Sequence, residues 1–282
     1  MPVAFMGRLI DHNELWKLSI SRREKFSSKD SDPAVYWDRR ASGFNASISL
    51  DGGRADDDLR HMDLRRSDRV LDMGAGTGRL SVPLTKRVAH VTALDPSQRM
   101  LEYLCKNMER EGFSNYSTKV GKWEDIQIGR DIEPHDVVIS SFSMGFYDAS
   151  EALMKLDDVA KRAVYIIWFA GSQDFDGLGA YIAAVKGEKP PEVFRFPDYM
   201  HILNILHQNG IYAGVRIMSR SWTAIYNNPA DAVESALESG HLAESDRDTA
   251  LDFYKNHMEK DAEGRYIIEK IKKQAMISWT KE

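Results

Sequence analysis

Cysteine is nearly absent from this sequence: among 282 residues only Cys105 carries a thiol, so no internal disulfide can form. A reducing, cytoplasmic location is the expectation that follows. Long apolar runs are missing too, none approaching the roughly 20 residues of a membrane helix. The opening Met1-Pro2-Val3-Ala4-Phe5-Met6-Gly7-Arg8 is too short an apolar stretch for a secretory signal. No His, Cys or carboxylate pair shows metal-ligand spacing, so no metal is expected. Charge of one sign does not dominate either, with 38 basic against 43 acidic residues and a net charge of −5. That balance disfavours nucleic acid as a partner, while leaving room for a local basic patch. There is no internal repeat and no low-complexity segment. What remains is 43% hydrophobic and 29% charged, the composition of a soluble chain with an ample core.

Residues 1–66 read as a helical N-terminal cap. Asp11 and Glu14 form a capping-box pattern ahead of Leu15, Leu18 and Ile20. Asp32-Pro33 marks a second helix start, after which Tyr36, Trp37, Arg40, Ala41 and Phe44 share one face. From Arg54 to Arg69 the chain is mostly charge, as in a solvated helix or connector.

From residue 67 the pattern changes to short apolar runs alternating with amphipathic stretches. Strands are predicted at Val70–Met73, Val91–Leu94, Thr118–Val120, Val137–Ser141 and Val164–Phe169, with helices near 78–88, 97–111 and 149–161. Alternation of this kind predicts parallel pairing and helices on both faces, a doubly wound α/β fold. Gly171 to Pro197 carries too many glycines and prolines for one continuous element. Beyond it the patterns predict a helix over 198–209, a strand over 215–225, helices over 229–238 and 246–259, and a final strand over 275–279. The sum is a mostly parallel, seven-stranded sheet in a core of residues 67–282, with lid insertions near 171–200 and 228–262.

The informative motif is Val70-Leu71-Asp72-Met73-Gly74-Ala75-Gly76-Thr77-Gly78-Arg79-Leu80, a strand ending in a glycine-rich turn that opens a helix. Such a turn lets backbone approach a ligand, and the helix start offers N–H groups. A dinucleotide site needs G-x-G-x-x-G, but Arg79 fills the third glycine slot. A phosphate loop needs G-x-x-x-x-G-K-[ST], which is absent. Asp72 would repel a pyrophosphate and suits a cationic ligand instead. At the end of the next strand, Asp95-Pro96-Ser97 supplies an acid at the spacing of a ribose-binding carboxylate, or of a simple helix cap.

Asp72-x-Gly74-x-Gly76-x-Gly78, with Asp95 downstream, resembles the first motifs of class I S-adenosylmethionine-dependent methyltransferases. The resemblance continues through Gly121-Lys122-Trp123-Glu124-Asp125 after the third strand and Asp136 to Met144 after the fourth, spanning about residues 68–170. It implies a Rossmann-like methyltransferase fold and S-adenosylmethionine as cofactor, with S-adenosylhomocysteine as product. It implies cofactor contacts from Asp72, Gly74, Ala75, Gly76, Thr77 and Gly78, and from Asp95, Pro96 and Met100. Further contacts are implied from Trp123, for which core packing is the other reading, from Glu124 and Asp125, and from Ser140 and Ser141. Tyr36-Trp37-Asp38-Arg39-Arg40-Ala41 is similar to the first helix of small-molecule members, which adds Trp37 and Arg40.

A sulfonium methyl is already activated, so catalysis is mainly in-line alignment, and a base is needed only for some acceptors. Ser140-Ser141-Phe142-Ser143 is not the Asn/Asp-Pro-Pro-Tyr sequence of members that methylate exocyclic or amide nitrogen. Tyr147, Asp148 and His201 are the catalytic candidates, on the loop after the fourth strand and at a helix start. Aromatics outside the core, among them Trp16, Phe26, Tyr181, Phe194 and Phe196, favour a small, partly apolar acceptor beneath a lid. A methyltransferase acting on RNA or protein, and a non-catalytic cofactor-binding protein, are the other two classes that the sequence leaves open.

Overall fold

The computed structural model describes residues 10–24, 32–48, 53–171, 176–189, 197–238 and 242–281. In chain order the elements begin with α1 (His12–Glu24), α2 (Pro33–Ile48), α3 (Arg54–Leu59), β1 (Arg69–Met73), α4 (Ser81–Thr85) and β2 (His90–Asp95). Next come α5 (Gln98–Arg110), β3 (Tyr116–Val120), β4 (His135–Ser141), α6 (Ala149–Val159), β5 (Ala160–Ala170) and α7 (Leu178–Lys186). The chain ends with α8 (Tyr199–Gln208), β6 (Gly214–Tyr226), α9 (Pro229–Glu238), α10 (Arg247–His257), β7 (Glu259–Lys260) and β8 (Tyr266–Thr280).

One sheet runs in the order β3-β2-β1-β4-β5-β8-β6, and β7 pairs antiparallel with β8. β1 pairs in parallel with β2 on one side and β4 on the other, so the strand order reverses at β1. In an open α/β sheet, the crevice beyond the carboxyl end of that strand is where ligands bind. β1 and β4 are apolar and buried along most of their length, as strands covered on both faces must be. On α5, Met100, Leu101, Leu104 and Met108 form the buried stripe, while Cys105 is only half-buried.

Two compact units emerge. The first comprises Met1–Trp168, Phe196–Arg216 and Ala275–Glu282. Helix α1 contributes to its core. Trp16 is fully buried, its ring centroid 6.1 Å from that of Trp168, and its indole N–H donates to the Phe146 carbonyl at 2.7 Å. Both helix starts follow the capping logic of the sequence: Asp11 accepts from the Asn13 and Glu14 N–H groups, and Asp32 from that of Ala34.

The second unit comprises Phe169–Arg195 and Ile217–Gln274 and has its own apolar cluster, including Leu178, Val233, Phe253, Tyr254 and Ile268. Within it Asp176 accepts from Tyr254 at 3.2 Å and pairs with Lys270 at 2.9 Å. The expected insertions near 171–200 and 228–262 fall largely in this unit, although Pro197 to Met200 belong to the first. Phe26, Phe194 and Phe196 lie outside the described residues.

As expected, the glycine-rich stretch after Phe169 is not one continuous element; it holds a short helix, α7, bounded by Gly177 and Gly187 at φ of 82° and 70°. Three expectations need correction. The helix expected over 78–88 shrinks to Ser81–Thr85, since residues up to Leu80 belong to the turn. The final strand starts at Tyr266, ahead of the predicted 275–279, because Glu269, Lys270, Lys272 and Lys273 interrupt the apolar pattern between Ile268 and Ala275. The sheet gains an eighth strand, β7, two residues joined to β8 by a tight turn in which Asp261 accepts from Arg265.

Candidate active site

The loop after β1 is shaped by close packing. Gly74, Gly76 and Gly78 all adopt positive φ, at 77°, 55° and 96°, a region that L side chains occupy at a cost. At Gly74 a Cβ would stand 2.2 Å from the Ser143 Cβ, and at Gly78 it would meet Val82 and Leu104 at 3.1 and 3.2 Å. Those two positions are glycine because neighbouring side chains fill the space. At Gly76 the nearest atom to a Cβ is an edge of the Phe44 ring, 3.4 Å away.

Asp95 ties the loop to β2. Its Oδ2 accepts from the Gly76 N–H at 2.9 Å and its Oδ1 from the Ser97 N–H at 2.9 Å. Gly76 N–H is therefore not a free donor for a ligand. Nor is Asp95 the helix cap: Ser97 caps α5, its hydroxyl accepting from the Met100 N–H at 3.0 Å. Burial pushes Asp95 up to about 6, against the pull of its two N–H bonds and with a push from the nearby Asp38 charge.

Asp72 lies under the loop, 1% exposed, with the Ser81 hydroxyl donating to its Oδ2 at 2.6 Å. Burial raises it to about 6, while Ser81 and the Arg79 charge act in the opposite direction. Asp72 Oδ1 and Thr77 Oγ1 are buried and have no hydrogen-bond partner among the described residues. Such a deficit is one that a bound polar ligand removes. Arg79, in the missing-glycine slot, binds the buried Asp58 at 2.9 Å and the Ser141 hydroxyl at 2.8 Å.

The remaining predicted residues divide. Pro96 is half-exposed beside Asp95, while Met100 is 2% exposed in the α5 stripe. Ala75, 7% exposed, packs with Leu101 and Leu104. Trp123 is 2% exposed with its indole N–H on the Ala152 carbonyl at 3.2 Å, which is core packing in place of the exposed aromatic face expected of an adenine contact. Glu124 and Asp125 stand exposed on a single turn beside it. Ser140 is fully buried and hydrogen-bonded to Ser143, which in turn donates to the Met73 carbonyl. Trp37 is 36% exposed against Phe44 and Tyr36, and the Arg40 guanidinium lies 3.7 Å from the Tyr36 ring centroid.

Of the catalytic candidates, Asp148 is occupied. It caps α6 by accepting from the Glu151 N–H, and it pairs with Lys17 at 2.9 Å and accepts from Asn13 at 3.0 Å. Its partial burial opposes ionisation, but these bonds hold the carboxyl below its ordinary value. A general base needs a higher affinity for protons, so Asp148 is better read as a cap. Tyr147 is 55% exposed, with Lys17 over its ring. His201 faces His12, ring centroids 5.9 Å apart, and the Nδ1 of each is buried without a partner among the described residues. Burial, then the His12 charge, lowers His201. Among the described residues no cluster of three His, Cys, Asp or Glu could hold a metal, and no helix is long and apolar enough to cross a membrane.

This glycine loop, with its acid at the end of β2 and the strand order reversing at β1, matches the methyltransferase domain family over residues 70–162. Residues 70–162 form a methyltransferase domain, of the class I S-adenosylmethionine-dependent kind. Similar proteins include an uncharacterized protein of Haemophilus influenzae, 28% identical over 88% of this chain and 89% of that one. A magnesium-protoporphyrin O-methyltransferase of Rhodobacter capsulatus is 31% identical over 36% of this chain and 43% of its own length. A mitochondrial ribosomal RNA small subunit methyltransferase of Arabidopsis thaliana is 27% identical over 36% of this chain and 32% of its own. The chain thus spans less than half of those two relatives. The solved structure of the YcgJ protein of Bacillus subtilis shares the fold, with a TM-score of 0.53 at 16% identity, covering 81% of this chain and 97% of that one.

The cofactor of this methyltransferase is S-adenosylmethionine. The residues fit it: an unpartnered Asp72 oxygen and Thr77 hydroxyl under the loop, and a buried carboxylate, Asp95, with lone pairs to spare for hydroxyls. When bound, the cofactor supplies the activated methyl; the chain supplies its placement. Sequence reasoning missed Ser143, whose fit against Gly74 needs tertiary contact, and His12, which only the α1–α8 packing brings to His201.

Proposed function

We propose that this methyltransferase transfers the methyl group to a small, partly apolar acceptor, chiefly by holding it in line with the S–CH₃ bond. The observation behind this reading is the aromatic edge of α2: Phe44 lies against Gly76 of the cofactor loop, with Trp37 5.7 Å from it. A wall of aromatic rings drawn from the chain itself suits an acceptor that can be enclosed, and enclosure excludes water. Ser140 and Ser143 are bonded to one another and Ser143 to backbone, and Asp148 is a cap, so alignment carries the rate and Tyr147 and His201 are the remaining candidates for a base. The cofactor contacts are assigned to the 72–78 loop, Asp95 and Pro96, and to Glu124 and Asp125 beyond β3.

The test is transfer of labelled methyl from S-adenosylmethionine to a panel of phenols, carboxylic acids, thiols and amines, run beside total RNA and mixed protein. Labelled small product supports the reading. Label found only in RNA or protein, with transfer falling steeply with salt, overturns it.

A macromolecular acceptor is the second reading, and one feature favours it. Arg60, Arg66, Lys86 and Arg87 surround a shallow groove of about 420 Å³ floored by Leu59, Met62 and Leu64. Three of the four are paired with Asp57, Glu111 and Asp56, which reduces the charge on offer.

A further inference from the structure

Helix α2 crosses three places in succession. At its start Asp32 pairs with Lys122 at 3.3 Å, next to the Trp123–Asp125 turn. Two turns on, Asp38 Oδ1 accepts from the Ser97 hydroxyl at 2.5 Å and from the Arg99 N–H at 3.2 Å, at the N-terminus of α5. Further on, Phe44 meets Gly76, and Asn45 accepts from Asn107, which also donates to the Thr77 carbonyl. The helix therefore follows the line from the turn after β3, past the acid that ends β2, to the glycine loop.

Asp38 is the residue on this line that packing alone does not explain. Ser97, which it binds, has its own N–H on Asp95, so two carboxylates converge on one short segment. The Asp38 charge raises the cost of ionising Asp95. A neutral asparagine would hold the Ser97 hydroxyl and the Arg99 N–H equally well. Asp38 Oδ2, meanwhile, has no hydrogen-bond partner among the described residues. Both oxygens of Asp95 already accept a backbone N–H, which leaves it half its capacity for a ribose with two hydroxyls.

We propose that Asp38 is a cofactor-binding residue, a second carboxylate whose Oδ2 receives a ribose hydroxyl beside Asp95. This rests on the cofactor assignment of the loop. The arrangement explains why like charges are kept together: two hydroxyl donors offset their repulsion, and charge-assisted bonds to hydroxyls are strong. It also makes α2 part of the cofactor site through its polar side as well as its aromatic edge.

The experiment is calorimetric titration at pH 8, well above the value of about 6 for Asp95, with S-adenosylhomocysteine and its 2′-deoxy and 3′-deoxy forms. Asp38→Asn should weaken S-adenosylhomocysteine about tenfold, the loss of one charge-assisted hydrogen bond. One of the two deoxy forms should bind wild type and variant alike, because the hydroxyl that Asp38 receives is gone. Ser97→Ala, which releases the helix but keeps the carboxylate, should not discriminate among the three ligands. Equal loss on all three ligands, or no loss, overturns the role of Asp38. A wild-type protein that binds no S-adenosylhomocysteine overturns the cofactor assignment itself.

Discussion

Gly74 and Ser143 stand so close that a Cβ on the glycine would lie 2.2 Å from the serine Cβ, and Ser143 is fixed there by its bond to the Met73 carbonyl. The end of β4 thus closes on the loop after β1, which is why the turn tolerates no side chain at its first glycine. Gly74→Ala should cost about 2–5 kcal/mol, adding left-handed strain to overpacking. Ser143→Gly in the same chain should recover part of the loss, read as non-additivity of the two denaturation midpoints. Simple additivity would mean that the contact is not the cause.

Cofactor affinity should depend on pH through Asp72 and Asp95, both raised by burial to about 6. A cationic cofactor and its hydroxyls favour the ionised carboxylates, so binding should strengthen between pH 5 and 7 and level off above. Each group costs about tenfold for every unit below its folded value. The stability of the free protein responds in the opposite sense. These raised carboxyls contribute stability that is full below their unfolded value near 4 and is lost as pH rises through about 6. Asp72→Asn should remove its share of both slopes, and titrations at four pH values with and without cofactor would show it. A flat affinity profile contradicts the assignment.

Asp95→Ala should weaken S-adenosylhomocysteine by roughly ten- to a hundredfold, for loss of a charged acceptor. It should also lower thermal stability, since the Gly76 and Ser97 N–H groups lose their partner. Ser97→Ala separates the two effects: as the true cap it should cost about 1 kcal/mol of stability. Circular dichroism melts and calorimetry on both variants distinguish them. Equal affinity in Asp95→Ala and wild type would leave that carboxylate a purely structural role.

Trp16→Ala should destabilise the first unit by about 3–5 kcal/mol, as a fully buried indole with its N–H satisfied is removed. Its midpoint in denaturant would measure this. Deletion of α1 would remove this core contact as well. A melt unchanged by Trp16→Ala would show that α1 is not part of the cooperative unit.

The sequence by itself determined the alternation of strands and helices through β5, the glycine loop, the acid at the end of β2 and the two N-terminal caps. Each is a local signal: a hydrophobic period, a glycine at a turn, or an oxygen a few residues ahead of the N–H groups it accepts. Only the tertiary structure decided which glycines exist for packing, that Ser97 and not Asp95 caps α5, that Trp123 is core, and that Asp38 meets the α5 N-terminus. It also extended the last strand through a charged stretch and revealed α7 between two glycines. In all of these, partners far apart in the chain share one atom-sized space or one lone pair, and neither periodicity nor spacing along the sequence records that.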